Sequence, residues 1–171
     1  VQLKDVGEIE ELWHGLRPPF TELFAWLESR AEKPANAAAA PFRPVMLSNA
    51  LEERDAAQIS PDSHVAEWKW DGIRVQAVAA TTGDGHPVRR LYSRTGEDIS
   101  AAFPDLLDAL AFDGAIDGEL LILRENRVQS FNVLQQRLNR RTVNFMLTAA
   151  FPAHLRAYDL LVEDGEDLRE T

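Results

Sequence analysis

The first 34 residues have the apolar spacing of two short amphipathic helices. Apolar side chains recur every three or four positions over residues 5–16 and again over 21–31, and two adjacent prolines separate the two runs. Residues 35–40 are mostly alanine, lack periodicity and are flanked by prolines, which indicates a linker. We therefore expect a helical segment over residues 1–34, a linker over 35–40 and a second unit over 41–171.

In the second unit, stretches with strand-like alternation are interrupted by stretches with helical spacing. Apolar residues at i, i+3, i+4 and i+7 from Phe103 predict a core helix, and Pro104 suits its first turn. Ser130 can cap another helix that carries Phe131, Leu134 and Leu138. This mixture favours the α+β class with antiparallel strands. The predicted strands cover residues 67–71, 73–79, 88–94, 115–123 and 154–162.

The sequence EWKWDGIR at residues 67–74 places a lysine in an aromatic-rich, strand-like run. Successive side chains of a strand point to opposite faces, so Lys69 is predicted to share a charged face with Glu67 and Asp71 while two tryptophans take the other face. If the aromatic face packs inward, the ammonium group loses solvation, which favours the neutral, nucleophilic amine. The more frequent explanation of an isolated K-x-D-G match is a half-buried strand whose lysine reaches solvent.

Gly72 predicts a reversal of the chain directly after this lysine. A glycine readily adopts the conformations of tight turns, and residues 73–79 then have the alternation of a return strand. In such a hairpin, Arg74 comes back towards Lys69. The stretch therefore predicts a cationic site built from both strands.

Composition limits the possible classes of protein. The 171 residues are 45% hydrophobic and 27% charged, which is ordinary for one globular unit with a core. The absence of cysteine excludes disulfides, thiolate catalysis and cysteine-based zinc sites. No apolar run approaches the roughly 20 residues that span a bilayer, and the start lacks the pattern of a signal peptide. We therefore expect no membrane partner and a cytoplasmic location.

The net charge of −10 is unusual for a protein that binds nucleic acid, but the charge is unevenly distributed. Between residues 124 and 141, five arginines accompany a single acidic residue. This window either contacts phosphates or is an ordinary solvated face. The arginines are Arg124, Arg127, Arg137, Arg140 and Arg141.

Four motifs, in order along the chain, resemble those of the covalent nucleotidyltransferases, which include ATP-dependent DNA ligases, RNA ligases and mRNA capping enzymes. The first is E-x-K-x-D-G-x-R at residues 67–74, which resembles their adenylylation motif. A further phrase, SFNVLQQRL at residues 130–138, is particularly similar to bacterial ATP-dependent DNA ligases of the repair type. The remaining three motifs are SRTGED at 93–98, DGEL at 117–120 and AYDLL at 157–161.

The resemblance implies the nucleotidyltransferase fold, an ATP-grasp-like α+β architecture in which two antiparallel sheets flank the ATP pocket. Residues 41–171 would be the N-terminal part of the adenylation domain, and residues 1–34 the tail of a helical DNA-binding domain. The family continues with a glutamate motif, a lysine-rich motif and an oligonucleotide-binding barrel. We therefore expect a fold that is incomplete at the C-terminus and a chain that does not seal nicks alone.

The resemblance also implies a reaction. Lys69 would attack the α-phosphate of ATP with Mg²⁺ as the metal, and the AMP would pass to the 5′-phosphate of nicked double-stranded DNA before the strand is sealed in DNA repair. A tyrosine stands at residue 158, where the family commonly has phenylalanine. By the same resemblance, Glu67 lies near the adenine amine, Arg74 and Arg94 near the ribose or the nick phosphate, Glu119 near the ribose or Mg²⁺, and Tyr158 stacks on adenine.

Two alternative functions remain open at this point. An RNA ligase or a capping-type nucleotidyltransferase shares the lysine chemistry, although the phrases at 93–98 and 130–138 favour a DNA ligase. A non-catalytic nucleic-acid-binding fragment would keep the fold without turnover. Only the enzymes predict a covalent AMP adduct, so mass spectrometry after incubation with ATP distinguishes the two classes.

Overall fold

The structure is a computed structural model that describes residues 4–35, 38–138, 140 and 142–169. The helices are α1 (Val6–Gly15), α2 (Thr21–Leu27), α3 (Pro104–Ala109), α4 (Phe131–Leu134) and α5 (Phe145–Ala150). The strands are β1 (Ile73–Thr81), β2 (Pro87–Ser93), β3 (Gly114–Arg124), β4 (Arg127–Val128), β5 (Ala153–Glu163) and β6 (Glu166–Asp167).

The strands form one six-stranded sheet in the order β2-β1-β3-β5-β6, and β4 pairs with β3 beside this path. Every pair of neighbouring strands is antiparallel. The α+β class with antiparallel strands is therefore confirmed. The finer expectation, two sheets flanking a nucleotide pocket, stays a prediction. No helix in the described part of the chain is long and apolar enough to cross a membrane.

The main core lies where α3 and α4 cover one face of β1 and β3. Alternation along β1 buries Val75 and Ala77 on this face, and the helical spacing of α3 adds the buried Leu106. Leu134 of α4 is buried against the same cluster. The side chain of Ser130 does not cap α4, and α4 ends at Leu134, which is shorter than the predicted helix.

A charged side chain lies inside this core. Arg137 has no exposed surface, and its guanidinium pairs with Asp105 at 2.5 Å and donates to the carbonyl oxygens of Ala102 and Phe151. The prediction that Arg137 belongs to an exposed basic window is therefore wrong, because its partners hold it in the interior. Arg141 of the same window lies outside the described residues.

Residues 67–71 do not form the predicted strand. The chain is irregular from residue 64 to the start of β1, and the hairpin partner of β1 is β2 instead. The predicted hairpin needs a free edge of β1, but β2 pairs with one edge of β1 over residues 75–81 and β3 pairs with the other over residues 73–79. Residues 67–71 therefore have no edge of β1 along which to pair.

The helical lead-in contacts residues that flank the sheet. The ring of His14 on α1 meets Phe42 edge-on with centroids 4.7 Å apart, and Glu11 pairs with Arg169 beyond β6 at 3.2 Å. Ala40, at the end of the predicted linker, is buried, and its carbonyl accepts a hydrogen bond from the hydroxyl of Tyr92 at 2.6 Å. The division into a DNA-binding tail, a linker and an adenylation domain stays a prediction.

Candidate functional site

One open cavity brings five of the six predicted site residues together. They come from the irregular segment before β1 and from the strands β1, β3 and β5. Arg94 is the exception and is described below. The cavity is lined by Met46, Leu47, Ser48, Glu67, Trp68, Lys69, Trp70, Arg74, Glu119, Tyr158 and Asp159.

Three neighbouring strands each carry one of these side chains to the cavity. Arg74 on β1 lies directly opposite Glu119 on β3, and β5 carries Tyr158 on the other side of β3. A register shift between Asp117 and Gly118 marks a bulge in the pairing of β3 with β5. A Cβ on Gly118 would lie 2.6 Å from the carbonyl oxygen of Arg156, so only glycine allows this close approach beside Glu119.

A buried carboxylate holds Arg74 in place. Asp117 has no exposed surface and accepts a hydrogen bond from Nη2 of Arg74 at 2.6 Å, while Nη1 donates to the carbonyl of Met46 at 2.7 Å. Burial alone would lower the pKa of Arg74, but the hydrogen bond and the negative charge of Asp117 outweigh it and raise that pKa. Arg74 therefore stays cationic at the cavity wall.

Gln76 is part of the same network and was missed from the sequence. Its buried amide donates to Oδ1 of Asp117 at 3.2 Å and to the carbonyl of Arg43 at 3.0 Å, and its Oε1 accepts from the N–H of Arg43 at 2.7 Å. Gln76 thus clamps the segment that leads into the cavity wall at Met46. The available signal was a polar residue inside an otherwise apolar strand, because a buried amide needs partners.

Glu119 contacts the segment that carries Lys69. Its Oε1 accepts a hydrogen bond from the backbone N–H of Gly72 at 3.1 Å. Burial raises the pKa of Glu119, while this bond and the charge of Lys69 act in the opposite direction. A Cβ on Gly72 would lie 2.3 Å from the carbonyl of Leu120, so the glycine is needed for close approach to β3 and not for the predicted reversal.

Lys69 is exposed, which contradicts the expected burial under an aromatic face. Charged and aromatic side chains do not separate onto two faces, because Trp68 and Trp70 line the same cavity as Lys69. Trp68 is 84% exposed. Trp70 is partly buried, and the guanidinium of Arg156 on β5 lies 4.4 Å from its ring centroid. The separation failed because residues 67–71 have no neighbouring strand to fix alternate faces.

Tyr158 presents its ring to the cavity. The side chain is 39% exposed, and the guanidinium of Arg74 lies 5.8 Å from the ring centroid. Burial raises the pKa of Tyr158 to about 12, although the charge of Arg74 lowers it in part. The phenol therefore stays protonated at neutral pH and combines an aromatic face with one hydrogen-bond donor.

Arg94 lies in the turn after β2 and lines a second, adjacent cavity. Arg74 lines both cavities and so stands between them. The hydroxyls of Ser93 and Thr95 lie 3.1 Å apart in the same turn. The structure therefore separates Arg94 from Lys69 and leaves Arg74 as the link between the two sites.

The carboxylates fit a metal ion only in part. In the described ranges, no group of three histidine, aspartate or glutamate side chains could hold a metal ion. Mg²⁺ differs from most metals in that one or two carboxylates and the phosphates of a substrate often complete its shell. Glu119 can supply such a carboxylate, because the hydrogen bond from Gly72 involves only one of its two oxygens.

The central strands of the antiparallel sheet direct an arginine, a glutamate and a tyrosine into one open cavity. This arrangement is typical of an α+β domain with a ligand-binding site. Comparison with protein families then identifies which kind. The model of the ATP dependent DNA ligase domain matches residues 45–171, so the chain belongs to this family.

Individual relatives agree with the family. The chain is 33% identical over 133 residues to a probable DNA ligase of Koribacter versatilis, and this match covers 73% of the chain and 22% of that protein. It is 34% identical over 135 residues to a DNA ligase of Methanoculleus marisnigri, covering 76% and 24%. It is 32% identical over 135 residues to DNA ligase B of Mycobacterium tuberculosis, covering 76% and 26%. The chain thus spans about a quarter of the length of these relatives.

Proposed function

We propose that this chain contributes the nucleotide-binding part of an ATP-dependent DNA ligase and carries AMP covalently on Lys69. The observation that carries the proposal is that Lys69 lines one cavity with Arg74, Glu119 and Tyr158 in a chain of the DNA ligase family. A lysine amine beside a fixed cation and an aromatic ring suits attack on the phosphate of a bound nucleotide. The names of the relatives favour DNA over RNA as the substrate.

The first step is nucleophilic attack by the neutral amine of Lys69. Its nitrogen forms a bond to the α-phosphorus of ATP, the bond from that phosphorus to the bridging oxygen breaks, and pyrophosphate leaves with the electron pair. The amine loses one proton to water. The product is a lysyl-AMP phosphoramidate, and the exposed position of Lys69 leaves the amine accessible to the nucleotide.

The other cavity residues bind and orient the nucleotide. Tyr158 stacks on the adenine, Glu67 accepts a hydrogen bond from the exocyclic amine, and Arg74 faces the ribose or phosphate. The hydrogen bonds to Asp117 and Met46 support this role of Arg74, because they fix its guanidinium before the nucleotide binds. Glu119 faces the ribose and would supply a carboxylate to Mg²⁺, which would offset negative charge on the phosphates when bound.

The later steps transfer AMP to DNA. An oxygen of the 5′-phosphate at a nick attacks the phosphorus of lysyl-AMP, the phosphorus–nitrogen bond breaks, and the nitrogen of Lys69 takes up a proton from water, which restores the amine. The oxygen of the 3′-hydroxyl then forms a bond to the phosphorus of the activated 5′-phosphate and loses its proton to water, the bond from that phosphorus to AMP breaks, and AMP leaves with the electron pair. Arg94 lies one cavity away from Lys69, which is a suitable place for a phosphate of the nick.

The test is mass spectrometry of the intact chain after incubation with ATP and Mg²⁺. We expect the wild type to gain the mass of one AMP. Lys69→Ala should show no gain, and Lys69→Arg should show none either, because a guanidinium does not deprotonate. The chain has three lysines, so Lys4→Arg and Lys33→Arg are matched controls that should keep the adduct. An adduct on either Lys69 variant would refute the assignment.

A further inference from the structure

The segment that carries Lys69 has few contacts to hold it. Residues 64–70 belong to no helix or strand, and all of them except Trp70 are exposed. At the end of the segment, the N–H of Gly72 donates to Glu119. Next to Lys69 itself, the ring of Trp70 lies 4.4 Å from the guanidinium of Arg156. These two contacts join the segment to the regular strands β3 and β5.

We propose that Arg156 is a positioning residue for Lys69 and acts through the ring of Trp70. Arg156 belongs to β5, directly opposite Glu119 in the strand pairing, so its backbone is fixed by the sheet. Its guanidinium forms no ion pair within the described ranges and contacts the indole ring instead. A cation over tryptophan is the strongest of the cation–aromatic pairs.

The pair restricts Lys69 because Trp70 is the next residue in the chain. When the indole is held against β5, the backbone of residue 69 has a limited range of positions, and its side chain leaves from a defined point at the cavity rim. Attack on phosphorus requires a narrow range of distance and direction, so loss of this restraint should lower the rate of attack. Arg156 does not line the cavity, so nucleotide affinity should change little.

The inference rests on the proposed function, since it concerns the nucleophile of that reaction. Its first test does not need activity. The chain has four tryptophans, and incorporation of 5-fluorotryptophan gives each one a ¹⁹F resonance. Trp70→Phe identifies the resonance of Trp70 by its loss. Arg156→Met should shift that resonance, and Arg156→Lys, which keeps a cation, should shift it less.

The second test measures the rate of lysyl-AMP formation against ATP concentration. Loss of an exposed cation–aromatic contact should lower the rate constant of Arg156→Met by about two-fold to five-fold, with an unchanged KM for ATP. Arg156→Lys should restore most of the rate. Trp70→Leu should be slow too, and adding Arg156→Met to it should produce no further loss, because the two residues act as one unit.

Lys4 provides a matched control, since its amine lies 4.7 Å from the ring centroid of Trp26 at the helical end of the chain. Lys4→Met should shift a resonance other than that of Trp70 and leave the rate unchanged. An unmoved Trp70 resonance in Arg156→Met, or a wild-type rate in that variant, would overturn the inference. A raised KM with an unchanged rate constant would also overturn it, because Arg156 would then contact the nucleotide. An adduct that persists in Lys69→Ala would instead refute the proposed function, while the fluorine spectra would still decide whether Arg156 holds Trp70.

Discussion

Arg74 connects more of the site than any other side chain described above. It bonds Asp117 and the carbonyl of Met46, lies over the ring of Tyr158, and stands between the two cavities. These contacts fix a positive charge without any bound ligand, so little reorganisation would be needed to bind an anion such as phosphate. The buried Asp117 therefore holds the guanidinium of Arg74 in position, while Arg74 itself faces the cavity.

The exposed ring face of Tyr158 leads to a prediction about nucleotide binding. If the ring stacks on adenine, Tyr158→Phe should bind ATP nearly as well as the wild type. Tyr158→Ala should lose about 1 to 3 kcal/mol of binding free energy, by analogy with bases stacked on aromatic side chains. Titration calorimetry with ATP measures both. Equal damage from Phe and Ala would show that the hydroxyl, and not the ring, makes the essential contact.

At the scale of elements, the ion pair between Asp105 of α3 and Arg137 in the turn after α4 should contribute strongly to the stability of the helices that cover the sheet. Arg137 is fully buried and Asp105 is partly buried, so Asp105→Asn leaves a buried guanidinium without its counter-charge. Loss of one partner of such a pair costs about 3 to 5 kcal/mol of unfolding free energy. Urea denaturation measures this loss. Asp98→Asn is a matched control, because its exposed partner Arg90 lies 3.5 Å away and such pairs contribute less than about 1 kcal/mol.

The same pair predicts a dependence of stability on pH. Burial alone would raise the pKa of Asp105, but the hydrogen bonds from Arg137 and from the N–H of Ala153 outweigh it and lower that pKa below its usual value. A carboxyl whose pKa is lower in the folded state stabilises the fold above its unfolded pKa, near 3.9, and the benefit is lost as pH falls through the folded value. Unfolding free energy should therefore drop below about pH 4 in the wild type and drop less in Asp105→Asn.

Helices and strands were predictable where apolar residues recurred at a regular spacing along the whole element. Alternation correctly predicted β1, β2, β3 and β5, and the i, i+3, i+4, i+7 spacing predicted α3. The alternation at residues 67–71 failed because a strand also needs a free edge to pair with, and β2 and β3 occupy the two edges of its predicted partner β1. The local sequence pattern does not show which strand will occupy a given edge of the sheet.

The site was predictable as a set of residue types but not as a network. Motif spacing pointed to Lys69, Glu119 and Tyr158, which do meet in one cavity. Nothing local in the sequence shows that Gln76 bonds Arg43, because that contact depends on how the irregular segment crosses β1. The burial of Arg137 was equally hidden, since an arginine in a charged window gives no sign of the carbonyl oxygens that satisfy it.

At the scale of the whole molecule, the negative net charge limits how well the chain alone can stabilise the reacting phosphates. The net charge is −10, and the only cations among the described residues that line the site cavity are Lys69 and Arg74, of which Arg74 is already paired. Departure of pyrophosphate requires positive charge near the phosphates. We therefore expect this chain to form the AMP adduct slowly and to seal no nicked DNA by itself.

That shortage of cations should make the adduct strongly dependent on Mg²⁺. Removing the metal with EDTA should lower the rate of adduct formation at least about tenfold, since metal charge stabilises phosphoryl transfer by several kcal/mol. Intact-mass spectra collected over time, with and without EDTA, measure the ratio. Restoring Mg²⁺ in excess serves as the control. Equal rates under both conditions would show that the protein supplies enough positive charge alone.

The strand order also determines when the cavity can exist during synthesis. Arg74, Glu119 and Tyr158 lie on β1, β3 and β5, which are neighbours in the sheet but far apart along the polypeptide. Pairings between distant segments form late, because the chain must first close long loops. A ribosome-bound nascent chain should therefore be unable to hold a nucleotide until β5 has left the exit tunnel and paired with β3. The nucleotide site would then form in one step, when β5 pairs with β3, instead of gradually.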